Sequence, residues 1–479
     1  MGICKFVDSI AAAPTTRFDF YRAAQGVTLL RNGTRIGMPS LDRSVTASPL
    51  SDGFHVGSST YGARVLTLRV RFAAANVDTL ATQMQLLNRE LDRETNWLMW
   101  QPDGATKPVF FKTYRSAPVE VDMEEATATG WEYGLELLAD PFALGLRETL
   151  GPFTVNNDPA HASNGLFVDV TGVIGDVPAR AVIQDTSGLR EFTLLAVRQH
   201  GTPSDHAFFR QAESCTLGLN TTNPGGGPDA VMSGTGTNNF VRTNDGGVVF
   251  DEPQTRLTWD LSATHTTTAQ RLALAGAFRV MVVMRTPGLN TNWGGVRAKV
   301  GEVTGSTVRP GTSFARRILD LGVFTYQDLV TPGLSVEAPA DASFNKIEIQ
   351  SSNTSGSGAD MDWDFIALIP ADEGTLMWAN NAIDTTSYDV LIDGENERVM
   401  LYTNGGNPFD GTAALRSTDA VNESGGYLSL VPNQTNRVYV LTADYSVSSH
   451  SFMPMVKTTS EALTFNYWPR YLHVRPVTT

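Results

Sequence analysis

Cysteine is almost absent: Cys4 and Cys215 are the two in 479 residues. Two thiols exclude a disulfide framework and a cysteine-built metal site, and they fit synthesis in a reducing compartment. Positive charge is also short, with 36 Lys and Arg against 50 Asp and Glu and a formal net charge of −14. That balance argues against a nucleic-acid face, because phosphate binding needs clustered Lys and Arg. No apolar run approaches the roughly 20 residues that span a bilayer. The opening MGICKFVDSIAAAPTT fits no targeting signal. Asp8 breaks the apolar run before Ala11-Ala12-Ala13, and Phe6 stands where a myristoylation motif has Ser or Thr. The expectation is synthesis in a cytoplasm without membrane insertion.

Catalytic grammar is missing as well. The chain has no G-x-S-x-G elbow, no H-E-x-x-H, no P-loop and no dinucleotide fingerprint. Seven histidines, at 55, 161, 200, 206, 265, 450 and 473, never fall at metal-ligand spacing on a readable element; His200 and His206 come nearest and flank Gly201 and Pro203. Carboxylates cluster at Asp122/Glu124/Glu125, Asp360/Asp362/Asp364 and Asp393/Glu395/Glu397. A glycosidase needs two of them facing across a cleft, which proximity in sequence does not supply. On a strand, Asp360, Asp362 and Asp364 share a face, where Ca²⁺ coordination competes with plain solvation. The expectation is no catalytic residue, no cofactor, no metal and no enzyme. One side chain suggests binding: Trp293 lies in NTNWGG, a polar glycine-flanked setting where an indole face can stack on a sugar.

What is present is strand pattern. Tyr61–Phe72, YGARVLTLRVRF, contains a strict alternation, Leu66, Leu68, Val70 and Phe72 against Thr67, Arg69 and Arg71. NVDTLATQMQLLNRELDRET then places Val77, Leu80, Met84, Leu87 and Leu91 on one helical stripe, with Asn76 or Asp78 to cap it. The strand WEYGLELLA stops at Asp140-Pro141-Phe142, where proline ends the ladder. From about Leu150, short β-type runs recur between Gly/Pro/Asn/Ser turns, including FRVMVVM and WDFIALIP. Strands at that spacing indicate a sandwich or jelly roll. YDVLI and RVMLY flank Asp393–Glu397 as a hairpin, and Tyr467-Trp468-Pro469 with Tyr471 marks an edge or bend. The fold class expected is mainly β and multidomain. It comprises an α+β N-terminal domain over 1–148 (antiparallel strands plus one helix), a jelly-roll β-sandwich over 149–385, and a C-terminal β domain over 386–479.

The first block resembles the N-terminal domain of distal tail proteins (Dit) of long-tailed, siphovirus-type phages. The resemblance rests on GFHVGSSTYGARVLTLRVRF, the helix, the Trp-rich strand and the closing LELLADPFALG. It also includes RIGMPSLDRSVTASPLSDGFHVG, an extended loop with Gly53 and Gly57, and GGYLSLVPNQTNRVYVL near the end. MDWDFIALIPADEG is similar to the closing strand of carbohydrate-binding modules, and the whole plan is similar to minor tail proteins of phages infecting actinobacteria. The resemblance implies a virion protein at the tail tip. It implies a hexameric ring between tail tube and tip that anchors the tip proteins and lets DNA pass through its channel. It also implies a galectin-like C-terminal domain, and as partners the tail tube protein, the tape measure protein and the tail-associated tip protein. Ring contacts are expected from the loop Ser44–Ser59 and the Arg69/Arg71 face. Three hypotheses follow: a structural hub, host-surface glycan binding through the middle block and Trp293, and a tail-associated glycan hydrolase.

Overall fold

In the computed structural model the described residues are 2–22, 26–47, 54–116, 118–121, 130–154, 156–157, 166–185, 192–199, 208–222, 241–246, 248–261, 276–285, 293–309, 317–325, 328, 346–354, 360–371, 375–379, 388–403, 406–409, 415–417, 422–424, 426–446, 451–452 and 462–472. The fold is mainly β and multidomain, with one α-helix among these residues.

The N-terminal part runs β1 (Ile3–Val7), β2 (Thr16–Asp19), β3 (Val27–Ile36), β4 (Leu41–Ala47), β5 (Phe54–Tyr61), β6 (Arg64–Ala73), α1 (Val77–Leu91), β7 (Thr95–Gln101), β8 (Val109–Tyr114), β9 (Pro118–Val121), β10 (Gly130–Ala139) and β11 (Ala143–Leu144). Its sheet has the order β2-β1-β7-β8-β10-β6-β3. Alternation decides which face of β6 is buried: Leu66, Leu68, Val70 and Phe72 reach the core, while Val65, Thr67, Arg69 and Arg71 face outward. The helix covers that core with Leu80, Leu87 and Leu91, and Asn76 caps it by accepting from the Thr79 amide at 2.8 Å. Val77 lies on the expected stripe yet is 58% exposed, so the packed stripe begins at Leu80. β4 and β5 pair only with each other among the described residues, an arm outside the main sheet.

Four further sheets hold most of the remainder. Sheet II orders Glu148–Thr154, Ala462–Tyr467, Val182–Asp185, Tyr388–Asp393, Arg398–Thr403 and Leu415–Ser417. Sheet III orders Asn156–Asn157, Leu166–Val170, Asn436–Ser446, Phe192–Gln199, Thr375–Ala379 and Asn422–Ser424. Sheet IV centres on Asp360–Pro370 and Ala277–Arg285, and sheet V on Phe250–Asp260, Lys346–Asn353 and Trp293–Val300. Strand pairing therefore crosses both expected boundaries. Strands between 148 and 199 share sheets with strands between 375 and 467, and the stretch 208–370 forms the sheets nested between them.

The nested sheets are not free on their outer side. Phe278, Val280, Val282 and Met284 enter the core between sheets IV and V. Met281 and Val283, on the opposite face of the same strand, join Ala367 and Ile369 in the core of sheets II and III. A strand buried on both faces must be apolar at consecutive positions, which is why this one reads FRVMVVM. Leu376 and Met377 are neighbours in sheet III, so they point to opposite faces, and both are buried in that one core.

Candidate functional surfaces

The break at Asp140 answers to a junction. After β10 stops, Asp140 accepts from the Tyr114 hydroxyl at 2.5 Å and its amide donates to the Lys112 carbonyl at 3.0 Å. The chain then re-enters the sheet as β11, with Leu144 opposite Phe110 of β8. The other neighbour of β11 comes from the far end of the chain: Ala143 pairs with Tyr471 and Leu144 with Arg470. Pro469 marks the bend by which this segment leaves sheet II, as its lack of an N–H favours.

The segment is bound on every side. The Gly145 amide donates to the Pro469 carbonyl at 2.8 Å, the Asp176 amide to the Arg470 carbonyl at 2.8 Å, and the Leu472 amide to Asp176 Oδ2 at 2.8 Å. Arg470 pairs with Glu395 at 3.2 Å and lies 5.9 Å from the Phe142 ring centre. Burial pushes the Glu395 carboxyl above its usual range, and Arg470 pulls it back. Arg64 Nη2 donates to the Leu472 carbonyl at 2.8 Å, and its guanidinium stands 5.3 Å from the Phe111 ring centre. The sequence marks Glu395 only as one of a carboxylate cluster and gives Arg470 no signal of its own. A signal for Arg64 was present: it occupies the same inward phase of β6 as Leu66, where an arginine is out of place.

The carboxylate clusters do not become a site. Asp122, Glu124 and Glu125 lie outside the described residues. Asp362 is fully buried in a bidentate pair with Arg242 at 2.8 and 3.1 Å. Between Met361/Trp363 and Ile366/Leu368, which share one core, a register shift leaves Asp364 out of the ladder, so the expected common face is broken. Asp393 caps its own turn through the Asn396 amide at 3.1 Å, while Glu397 pairs with Arg180 at 2.9 Å and Glu395 with Arg470. Asp362, Asp393, Glu395 and Glu397 thus each have a different partner. Among the described residues no group of three His, Cys, Asp or Glu is disposed to hold a metal ion. His200 and His206 lie outside the described residues.

Trp293 opens its strand in sheet V opposite Asn353, which on its other side faces Phe250. The backbone around it is tight, since a Cβ on Gly294 would meet Ser352 Oγ at 2.4 Å. The Trp293 side chain and the neighbouring loops 286–292 and 355–359 fall outside what is described.

The outer face of the N-terminal sheet carries a charged and an apolar part. Arg69 binds Glu132 at 2.9 Å, and Arg71 stands opposite Glu132 in register and is exposed. Farther along the same strands Val65 and Leu138 oppose each other at 50% and 47% exposure. Nearby, at the root of the β4–β5 arm, Leu41 pairs with Tyr61, both exposed, and Tyr61 packs edge-on against Phe142 at 5.3 Å. The segment Ser44–Ser59 supplies most of that arm; its side chains up to Ser58 are not described.

No family model matches the sequence, and no curated protein matches it. Among solved structures the chain is similar to the Dit protein of phage SPP1 (gp 19.1), described as a paradigm of the hub adsorption apparatus in phages infecting Gram-positive bacteria. Identity there is 8% over 98% of this chain and 99% of that one, at a TM-score of 0.37. It is also similar to chains of the phage p2 baseplate in its activated conformation with Sr and with Ca. Each is 11% identical over 76% of this chain and 98% of that one, at TM-scores of 0.26 and 0.25. Likenesses this distant carry no residue role across. No helix among the described residues is long and apolar enough to cross a membrane.

Proposed function

We propose that the chain is a structural hub of a phage tail, of the distal-tail type. It forms a ring, hexameric as in the resembled family, between tail tube and tail tip. It meets the tube, tape measure and tip proteins and performs no catalysis. The observation that carries this reading is the β4–β5 arm, formed by the family-like stretch Arg35–Gly57 together with its following residues. A two-stranded hairpin is at best marginally stable alone and needs a surface to cover it. Head-to-tail packing of copies offers such a surface and closes a ring. The net charge of −14 favours a lumen that does not retain DNA. In this reading three units assemble: 1–145 with 468–472, then 148–199 with 375–467, and 208–370 nested within the second. An actinobacterial host rests on the sequence plan alone. Electron microscopy of the purified full chain is expected to show closed rings. A chain that stays monomeric at high concentration would overturn the reading.

A second reading gives the nested unit a role in host attachment through a surface glycan, with Trp293 as the stacking side chain. Its support is the polar end of sheet V, where Ser351, Ser352 and Asn353 are buried beside the strand that Trp293 opens. Binding would be weak per site and strengthened by repetition around a ring. A glycan array probed with the full chain should give signals that Trp293→Ala abolishes while the melting temperature stays unchanged. Equal signals from both proteins would reject Trp293 as the stacking side chain, and none from either would reject the glycan role.

A further inference from the structure

Two aromatic residues four positions apart belong to different cores. Tyr467 is fully buried among sheets II and III, where its hydroxyl accepts from the Ile174 amide at 2.9 Å. Tyr471 is buried in the N-terminal core beside Leu137 and Ala143. The residues between them, Trp468-Pro469-Arg470, therefore fix how the N-terminal unit is held against the sandwich. Trp468 packs on Phe409 at 6.2 Å, and Phe409 lies under the Arg147 guanidinium at 4.2 Å. No other described strand joins the N-terminal sheet from so far along the chain.

The anchor at the end of this segment is unbalanced. Arg64 is fully buried, yet Nε and Nη1 have no hydrogen-bond partner among the described residues. Among those residues its polar and ring contacts are one neutral carbonyl, that of Leu472, and the Phe111 ring face. A buried guanidinium with one of its three nitrogens paired is strongly desolvated, and burial accordingly lowers its pKa to about 10. Water would satisfy the other donors if the segment lifted away. The three hydrogen bonds from backbone amides and the Arg470–Glu395 pair hold it down, and Arg64 opposes them.

We propose that residues 467–472 are a releasable strap that couples the N-terminal unit to the sandwich, and that Arg64 loads this strap so that it opens before either core melts. This does not depend on the tail reading. It is a device in the fold, driven by hydration of one charge.

Hydrogen exchange on the full chain tests it. In the native protein the amides of Gly145, Asp176 and Leu472 should exchange about tenfold or more faster than those of Leu68 and Val70 in the N-terminal core. Arg64→Met keeps a long side chain over Phe111 without the charge, and should slow the three strap amides about tenfold. Unchanged or faster strap exchange in that variant would show that Arg64 is a net anchor and overturn the proposal. Strap amides as slow as the core amides in the native protein would overturn it without any variant. Arg470→Met supplies the opposite perturbation. It should speed strap exchange, leave Leu68 and Val70 unchanged, and enlarge the radius of gyration measured by X-ray scattering. Faster exchange with an unchanged radius would reject the coupling of the two units.

Discussion

Deleting residues 208–370 and joining the flanking strands with a short linker should yield a chain that aggregates on expression. The sequence alone favours the contrary result, because the block has its own β pattern and lies between two family-like stretches. The packing decides against it. Met281, Val283 and Ile369, all buried, leave with the block, and the side of sheet III that they cover is laid open. At about 1.5–3 kcal/mol for each large apolar side chain, the loss is about 5–9 kcal/mol, on the scale of a whole domain's stability. A new apolar surface adjoining unpaired strands also favours association. Soluble expression with a native-like cooperative melt would show that sheet IV merely rests on sheet III. Restored solubility when polar residues replace the laid-open side chains of sheet III would support the burial argument.

The parts of this fold legible in the sequence are those specified by local pattern. The β6 alternation, the α1 stripe with its Asn76 cap, the hairpin about Asp393–Glu397 and the stop at Asp140-Pro141 each depend on a few neighbouring residues, and each is present. Sheet membership is not local. Val182–Asp185 and Ala462–Tyr467 pair across nearly three hundred residues, and neither strand carries a mark of its partner. The middle block is therefore visible in the sequence as a change of pattern, but its limits are not. The doubled burial of FRVMVVM was readable as an unbroken apolar run; the identity of the second covering layer was not. For the junction, YWPRY announces a bend and three aromatics, while nothing local assigns Tyr467 and Tyr471 to different cores. Among the proposed binding surfaces, Arg69 is held by Glu132, which leaves Arg71, Val65, Glu136 and Leu138 among the exposed residues of that face.

Leu87→Asp should unfold the N-terminal unit. Leu87 is fully buried and lies in one core with Leu66, Leu68, Phe72 and Tyr133, all of them strand residues of the sheet that the helix covers. A carboxylate there has two courses. It can stay ionised without a partner, at several kcal/mol, or take up a proton and still bury an oxygen pair without a partner. Either penalty adds to the lost leucine contacts, about 2–5 kcal/mol for truncation of such a residue to alanine. Together they match the roughly 5–15 kcal/mol that stabilises a domain. Leu87→Ala supplies the graded control, with a lower melting temperature and intact cooperativity. Leu86→Asp is the positional control, since Leu86 is 40% exposed on the same turn and should tolerate the charge. Because Tyr471 shares that core, the Leu87→Asp chain should also lose protection at the Leu472 amide. The sandwich has its own core and should keep its protected amides in Val182–Asp185 and Tyr388–Asp393. A full-length Leu87→Asp protein that melts like the parent would mean that α1 does not cover the sheet. Loss of protection in both regions together would mean that the two cores fold as one cooperative unit, tied through Tyr467 and Tyr471.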